Sequence, residues 1–172
     1  ASTVDAILSR LKQVPQVEAV YVKENTRSFE AIVKGGKDQD IANTIWQCKP
    51  LGVETTGTVE CTITDSLDAA RKIRFSRPTD VPLTLRINLK VKRRLEEAEL
   101  NKLKTALVDC GKTYFSLGSE VYASRFYASV LKEPLILDII TLQLRDRAIG
   151  NAPGEIKPEQ IASLAFKDIS IE

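Results

Sequence analysis

The stretch Arg71–Lys92, RKIRFSRPTDVPLTLRINLKVK, decides how the rest of the chain is sorted. In its first part Ile73 and Phe75 share one parity, and Lys72, Arg74 and Ser76 share the other. In its second part Leu83, Leu85, Ile87, Leu89 and Val91 alternate with Thr84, Arg86, Asn88, Lys90 and Lys92. Successive side chains of a strand point to opposite faces, so both parts predict strands with one buried and one wetted face. Pro78 and Pro82 carry no backbone donor. They predict a break in pairing between them, and a bend from one α/β unit into a second.

Upstream of the bend, Val4, Ile7, Leu8 and Leu11 recur at helical spacing behind a hydroxyl-and-acid start at Ser2 to Asp5, and Pro15 ends the run. Val17 to Lys23 and Phe29 to Val33 predict two strands around a polar hairpin loop, followed by a Gly35-Gly36 turn. Asp38 is the expected N-cap of a helix with the stripe Ile41, Ala42, Ile45 and Trp46, stopped by Pro50. Val59, Cys61 and Ile63 then alternate, and the strand carrying Ile73 and Phe75 completes a hairpin. An antiparallel sheet with helices on one face satisfies this order.

Downstream, Leu95 to Cys110 predicts a helix with Gly111 as its C-terminal cap. Ala123, Phe126, Tyr127, Val130 and Leu131 predict a second helix, closed by Pro134. Leu135 to Leu144 is the most apolar strand, with Ile140, Leu142 and Leu144 expected on its buried face. A polar loop from Arg145 to Gly154, a short helix from Pro158 to Leu164 and a last strand at Ile169 and Ile171 complete the chain. The expected class is α+β: two small α/β units, each a mostly antiparallel or mixed sheet covered by helices. Residues 1–79 form the helix–strand–strand–helix–strand–strand domain and residues 80–172 the C-terminal α+β domain.

Composition narrows the function classes. With 43% hydrophobic and 28% charged residues the chain reads as an ordinary globular protein. A formal charge of +2 gives no field to draw nucleic acid or an anionic membrane, and no apolar run reaches membrane-spanning length. The chain holds no Met and begins at Ala1, the start expected of a processed or excised chain. Cys48, Cys61 and Cys110 are widely spaced and odd in number, which fits small buried hydrophobes better than a disulfide or metal framework.

Little in the sequence carries catalytic chemistry. There is no histidine, so the commonest general base and metal ligand are both missing. Gly35-Gly36-Lys37-Asp38 lacks the spacing of a phosphate-binding loop and reads as a turn. Lys72-Ile73-Arg74-Phe75 lacks the glycine and further aromatics of an RNA-binding sheet. Glu96, Glu97 and Glu99 read as a solvated helix face. Asp138 interrupts an apolar strand; an edge position facing solvent is favoured over a buried, paired acid. Lys92-Arg93-Arg94 is a basic cluster at a strand end. It solubilises that end or meets an acidic neighbour through the bidentate geometry of Arg.

Four segments, in this order and spacing, resemble the baseplate J-like family of contractile-tail phages and related injection devices. They are Ile41–Gly57 with its Lys49-Pro50-Leu51-Gly52 turn and Thr55-Thr56-Gly57 segment, Ile73–Pro78 ahead of an alternating strand, Leu117–Arg125, and Ile156–Ala162. Members of that family are longer, and the likeness is to their middle and C-terminal parts. At Leu131-Lys132-Glu133-Pro134 the chain departs from the family's Pro-Gly-Val turn. The resemblance implies a structural, wedge-type component of the tail baseplate, assembled in the bacterial cytoplasm. Its expected partners are other wedge proteins and copies of itself, with no catalytic residues, cofactor, metal, small-molecule substrate, nucleic acid or membrane. Interfaces centre on aromatic and Arg anchors. The candidate interface is therefore Arg74, Phe75, Arg77, Lys92, Arg93, Arg94 and Tyr122, while Trp46 and Phe126 lie on apolar stripes where a core role is favoured. The competing expectation is a small α/β enzyme using carboxylate or Lys chemistry, which calls for a buried, perturbed acid facing a pocket.

Overall fold

The computed structural model describes residues 3–172, so Ser2 of the expected cap lies outside the described residues. The chain divides into two compact units, one ending at Thr79 and one spanning Asp80–Glu172, and the fold is α+β.

The first unit contains α1 (Thr3–Lys12), β1 (Val17–Glu24), β2 (Ser28–Gly35), α2 (Asp38–Cys48), β3 (Glu54–Thr55), β4 (Val59–Thr64) and β5 (Ala70–Phe75). Its core collects Ile7 and Leu11 from α1, Ile41, Ala42 and Ile45 from α2, and Ile73 and Phe75 from β5. β1 and β2 form an antiparallel hairpin, as the pattern predicts. The expected antiparallel sheet is corrected in two ways. β3 pairs with β2 in parallel, because α2 is a crossover that returns the chain in its original direction. β4 and β5 form a separate antiparallel ladder, joined to β2 by a bridge at Ser76, whose N–H donates to the Ala31 carbonyl at 2.8 Å and whose own carbonyl accepts from Val33 N–H at 2.9 Å. Asp38 is the first residue of α2 and not its cap; Lys37 holds the cap position.

The second unit contains β6 (Thr79–Val91), α3 (Glu97–Tyr114), a 3-10 turn (Ala123–Phe126), α4 (Tyr127–Leu131), β7 (Ile136–Asp146) and β8 (Gln160–Ile171). The sheet order is β7-β6-β8. β7 is antiparallel to β6. Glu172 donates to the Ile87 carbonyl and accepts from Leu89 N–H, the hydrogen-bond pattern of a parallel neighbour. Leu83, Leu85 and Ile87 are fully buried, together with Leu107, Phe126 and Val130 from the covering helices.

Four expectations are corrected here. The chain does not bend between Pro78 and Pro82: β6 begins at Thr79 and runs through Pro82. The ladder with β7 starts only at Leu83↔Asp146, so the missing donor of Pro82 interrupts none of it. Gly111 is not a cap but a buried residue inside α3, where a Cβ would press on the Phe115 ring at 2.9 Å. Pro158 opens no helix. Gln160 N–H closes a turn on the Lys157 carbonyl at 2.9 Å, a turn in which proline's fixed φ serves equally well, and the open side of β6 then recruits the following residues as β8.

Ile140 is 58% exposed and not on the buried face. Asn88 pairs with Thr141 and Leu89 with Ile139, which leaves Ile140 as the extra residue of a bulge; a second shift leaves out Leu137, which is 51% exposed. Each bulge flips the parity of the residues beyond it, so a strict period of two holds at both ends of β7 but fails for the stretch between the bulges.

The burial of Ile87 gives a direct test. Ile87→Ala should lower stability by about 2–5 kcal/mol, because it opens a cavity among residues that pack from both covering helices. Arg86→Ala, on the exposed parity, should change it by no more than about 0.5 kcal/mol. Urea unfolding of both variants separates them; equal losses would mean that β6 does not have one buried face.

Candidate protein interface

Of the seven interface candidates, Arg74, Phe75 and Arg77 belong to the first unit and Lys92, Arg93, Arg94 and Tyr122 to the second. Phe75 is 0% exposed and belongs to the core of the first unit, because its parity with Ile73 points it inward; it offers no surface to a partner. Arg77 is also engaged inside its own unit. Its Nη1 donates to the carbonyls of Val33 (3.0 Å) and Gly35 (2.7 Å), and its Nη2 to the Gly36 carbonyl (2.9 Å) and the Asp38 carboxylate. The guanidinium lies 5.3 Å from the Phe75 ring centroid. Both glycines have positive φ, +83° at Gly35 and +77° at Gly36, so their turn aims carbonyls at one point that a planar fork can reach.

Arg93 is likewise an internal device. It grips Glu99 with two bonds of 2.8 and 3.0 Å, and Glu99 reaches back to the Glu96 N–H at 2.9 Å to close the first turn of α3. Glu99 is therefore a capping residue and not simply part of a solvated face. The paired Arg93 holds the Glu99 carboxyl below its usual range, with the Glu96 N–H adding to the effect. Lys92 and Arg94 are exposed and have no side-chain partner among the described residues. Tyr122 is 55% exposed and donates to Glu120 at 3.0 Å, which pushes its phenol up. It lines a small pocket of about 210 Å³ beside Tyr114, Phe115 and Arg125. Phe126 is fully buried, as its place on an apolar stripe predicts, and its ring packs tilted against Phe115 with centroids 6.0 Å apart.

Arg74 lies in a wider groove of about 460 Å³ in the first unit. One wall is the C-terminal end of α2 with Trp46 and Lys49, the second is Val53 to Thr55, and the third is β5 from Ala70 to Arg74. Arg74 pairs with Glu60 at 3.0 Å, and Arg71 with Asp65 at 2.9 Å. Asp65 also accepts from Leu67 and Ala69 N–H in the β4–β5 turn, and the Arg71 bond leads the causes that keep its carboxyl low. Trp46 is half-buried. Its ring is flanked by Lys49 at 5.7 Å and Arg71 at 5.6 Å, so its position on the apolar stripe and its position on the surface are both real. Lys49, Arg71 and Lys72 escape a reading based on Arg clusters, because the groove joins segments distant in sequence.

No protein-family model and no curated protein matches the chain. The fold is similar to that of a chain in the cryo-EM structure of the anti-feeding prophage baseplate, six-fold symmetrised. The TM-score is 0.57 at 12% identity, and the likeness covers 92% of this chain and 36% of that one. This chain thus spans about a third of the length of the protein it resembles, and at this identity the likeness is one of fold.

Burial pushes the Cys48 and Cys61 thiols up, which disfavours the nucleophilic thiolate. Asp138 is exposed, and among the described residues its carboxylate accepts only from the adjacent Ile139 N–H. Asp65 and Glu99 both shift downward beside arginines, the opposite direction from an acid held protonated by burial.

Two outcomes are expected. Arg77→Ala should lower stability by about 1.5–3 kcal/mol, since it strands carbonyls that a charged donor now satisfies, whereas Arg74→Ala should cost less than about 1 kcal/mol. Thermal and urea unfolding of the pair checks this. Glu99, with its folded pKa depressed, stabilises fully above the ordinary glutamate value of about 4.3 and loses that contribution as pH falls through the folded pKa. The stability gap between the wild type and Glu99→Gln should therefore narrow between about pH 6 and about pH 3. A constant gap across that range would show that the Arg93 pair contributes nothing.

Proposed function

We propose that this chain is part of a structural protein of a contractile injection device, a wedge-type, J-like component of its tail baseplate. The observation that carries the reading is the likeness of fold to the anti-feeding prophage baseplate over 92% of the chain. The order of its Lys-Pro-x-Gly, Arg-Phe-Ser-Arg-Pro and Ile-Lys-Pro segments supports the same reading independently of the fold. Its partners are other wedge proteins and further copies of itself, met as the particle is built in the bacterial cytoplasm. Its work is geometric: it holds rigid, complementary surfaces at fixed spacing and needs no catalytic group, cofactor, nucleic acid or membrane. Rigid units suit that task because assembly loses little conformational entropy when surfaces are already ordered.

Within this reading, Lys92 and Arg94 are the charges of the strand-end cluster that remain free to meet an acidic neighbour, since Arg93 is committed to Glu99. Exposed charges at the rim of an interface act chiefly on association rate. The test is assembly of the full-length protein with the products of its neighbouring genes, followed by electron microscopy of the particles. Omitting the protein should leave no closed baseplate. The double variant Lys92→Glu, Arg94→Glu should fold normally and assemble more slowly, with the defect greatest at low salt. Complete particles formed without the protein would sink the reading.

A further inference from the structure

The groove of the first unit holds an unfinished sheet edge. Along β5 the backbone groups alternate in direction, and the side facing away from β4 can be followed residue by residue. Ser76 uses it to pair with β2, through Ala31 and Val33. Two residues earlier, Arg74 N–H finds no strand and donates instead to the Thr55 hydroxyl at 2.9 Å. Lys72 and Ala70 share that parity, and β5 has only β4 as a ladder partner among the described residues, so their N–H and C=O groups face the groove without a strand to receive them. β3, which could have continued along this edge, is only two residues long.

Charge and shape say what fits there. The walls carry the cations Lys49, Arg71, Lys72 and Arg74 against the carboxylates Glu54 and Glu60. Arg74 is shared with Glu60 and Arg71 with Asp65, while Lys72 is exposed and unpaired among the described residues. Lys72 and Arg74 stand on the face opposite the buried Ile73 and Phe75, and Trp46 lines the groove itself. A lysine on an open edge also discourages pairing with another basic or neutral strand.

We propose that this edge docks an extended acidic segment of a neighbouring protein subunit, which adds as a strand beside Ala70 and Lys72. Its acidic side chains lie against Lys72 and Arg74, and its apolar side chains against Trp46. Main-chain bonds supply affinity in such strand addition, and alternate side chains supply specificity. The proposal rests on the baseplate reading only for the identity of the partner as a neighbouring subunit.

Trp46 is the sole tryptophan, so its emission reports on the groove alone. The test titrates the 172-residue chain with a capped peptide of about six residues alternating Glu and Val, monitored by tryptophan fluorescence and calorimetry together. Saturable binding is expected, with a change in Trp46 emission. It should be lost when Lys replaces Glu in the peptide, and lost again when alternate peptide nitrogens are methylated with the charges kept. Lys72→Glu should weaken it by about tenfold or more with the circular dichroism unchanged, because among the described residues no bond depends on the Lys72 side chain. Absence of heat and of fluorescence change with the acidic peptide would overturn the proposal. So would equal binding by the methylated peptide, which would reduce the contact to charge attraction, or equal binding by Lys72→Glu. A failed titration beside normal particle assembly removes the groove and leaves the baseplate reading intact. Binding beside particles that close without the protein does the reverse.

Discussion

The first unit depends on what Ser76 and Arg77 do at the end of β5. Two strand systems meet there, and neither residue could be replaced by its usual substitute. Ser76 joins the β4–β5 ladder to β2 by two backbone bonds, while its hydroxyl donates to Glu30 and accepts from Thr58 N–H at 3.1 Å. Arg77, one residue on, gathers three carbonyls from the end of β2 and its glycine turn, together with the first acid of α2. A guanidinium can satisfy four acceptors because its donors radiate in a plane. An ammonium on a flexible stem would have to choose among them. The adjacent Phe75 ring excludes water from one side of that plane, which strengthens every bond it makes.

The same pairing explains why Arg77 misleads at the level of sequence. An arginine beside a proline after an alternating strand looks like a free anchor, and so does Arg93 in its basic run. Both turn out to be held by acceptors whose positions are set elsewhere in the chain. Gly35 and Gly36 are forty-odd residues away from Arg77. Glu99 is near Arg93 in sequence, but a helix start must form before its carboxylate faces back. What sequence does supply is parity. Ile73 with Phe75, and Leu83 with Leu85, Ile87 and Leu89, are buried as their alternation requires.

Where parity itself changes, the reading fails for a physical reason. β7 carries two bulges, and β8 switches from burying Ala162 and Leu164 to burying Ile169. An extra residue reverses the faces without altering composition, so Ile140 shares the parity of the inward-facing Ile136, Leu142 and Leu144 at the two ends of the strand and is nonetheless turned out between the bulges. Pro158 fails differently: the fixed φ that suits a first helical turn also suits a reverse turn, and the waiting edge of β6 decides between them. The groove beside β5 was beyond reach because its walls come from α2, the segment before β4, and the hairpin. Only the fold brings Trp46 to Arg71.

The two units treat their edges in opposite ways, and that contrast bears on which surface is made for pairing. The outer strand β7 is long and apolar enough to be an aggregation template. Its two bulges break the regular spacing of N–H and C=O groups, and they turn Leu137 and Ile140 out of register with any straight partner. β5 has no bulge in its ladder. Its open side stays straight, short and lined with cations, and a hydroxyl from Thr55 already occupies the first site that a continuing strand would have used. A bulged edge refuses all strands alike, whereas a straight basic edge refuses only those that bring no acid. In the docking proposed for this edge, the charges that exclude the wrong neighbours are the same ones that admit an acidic strand.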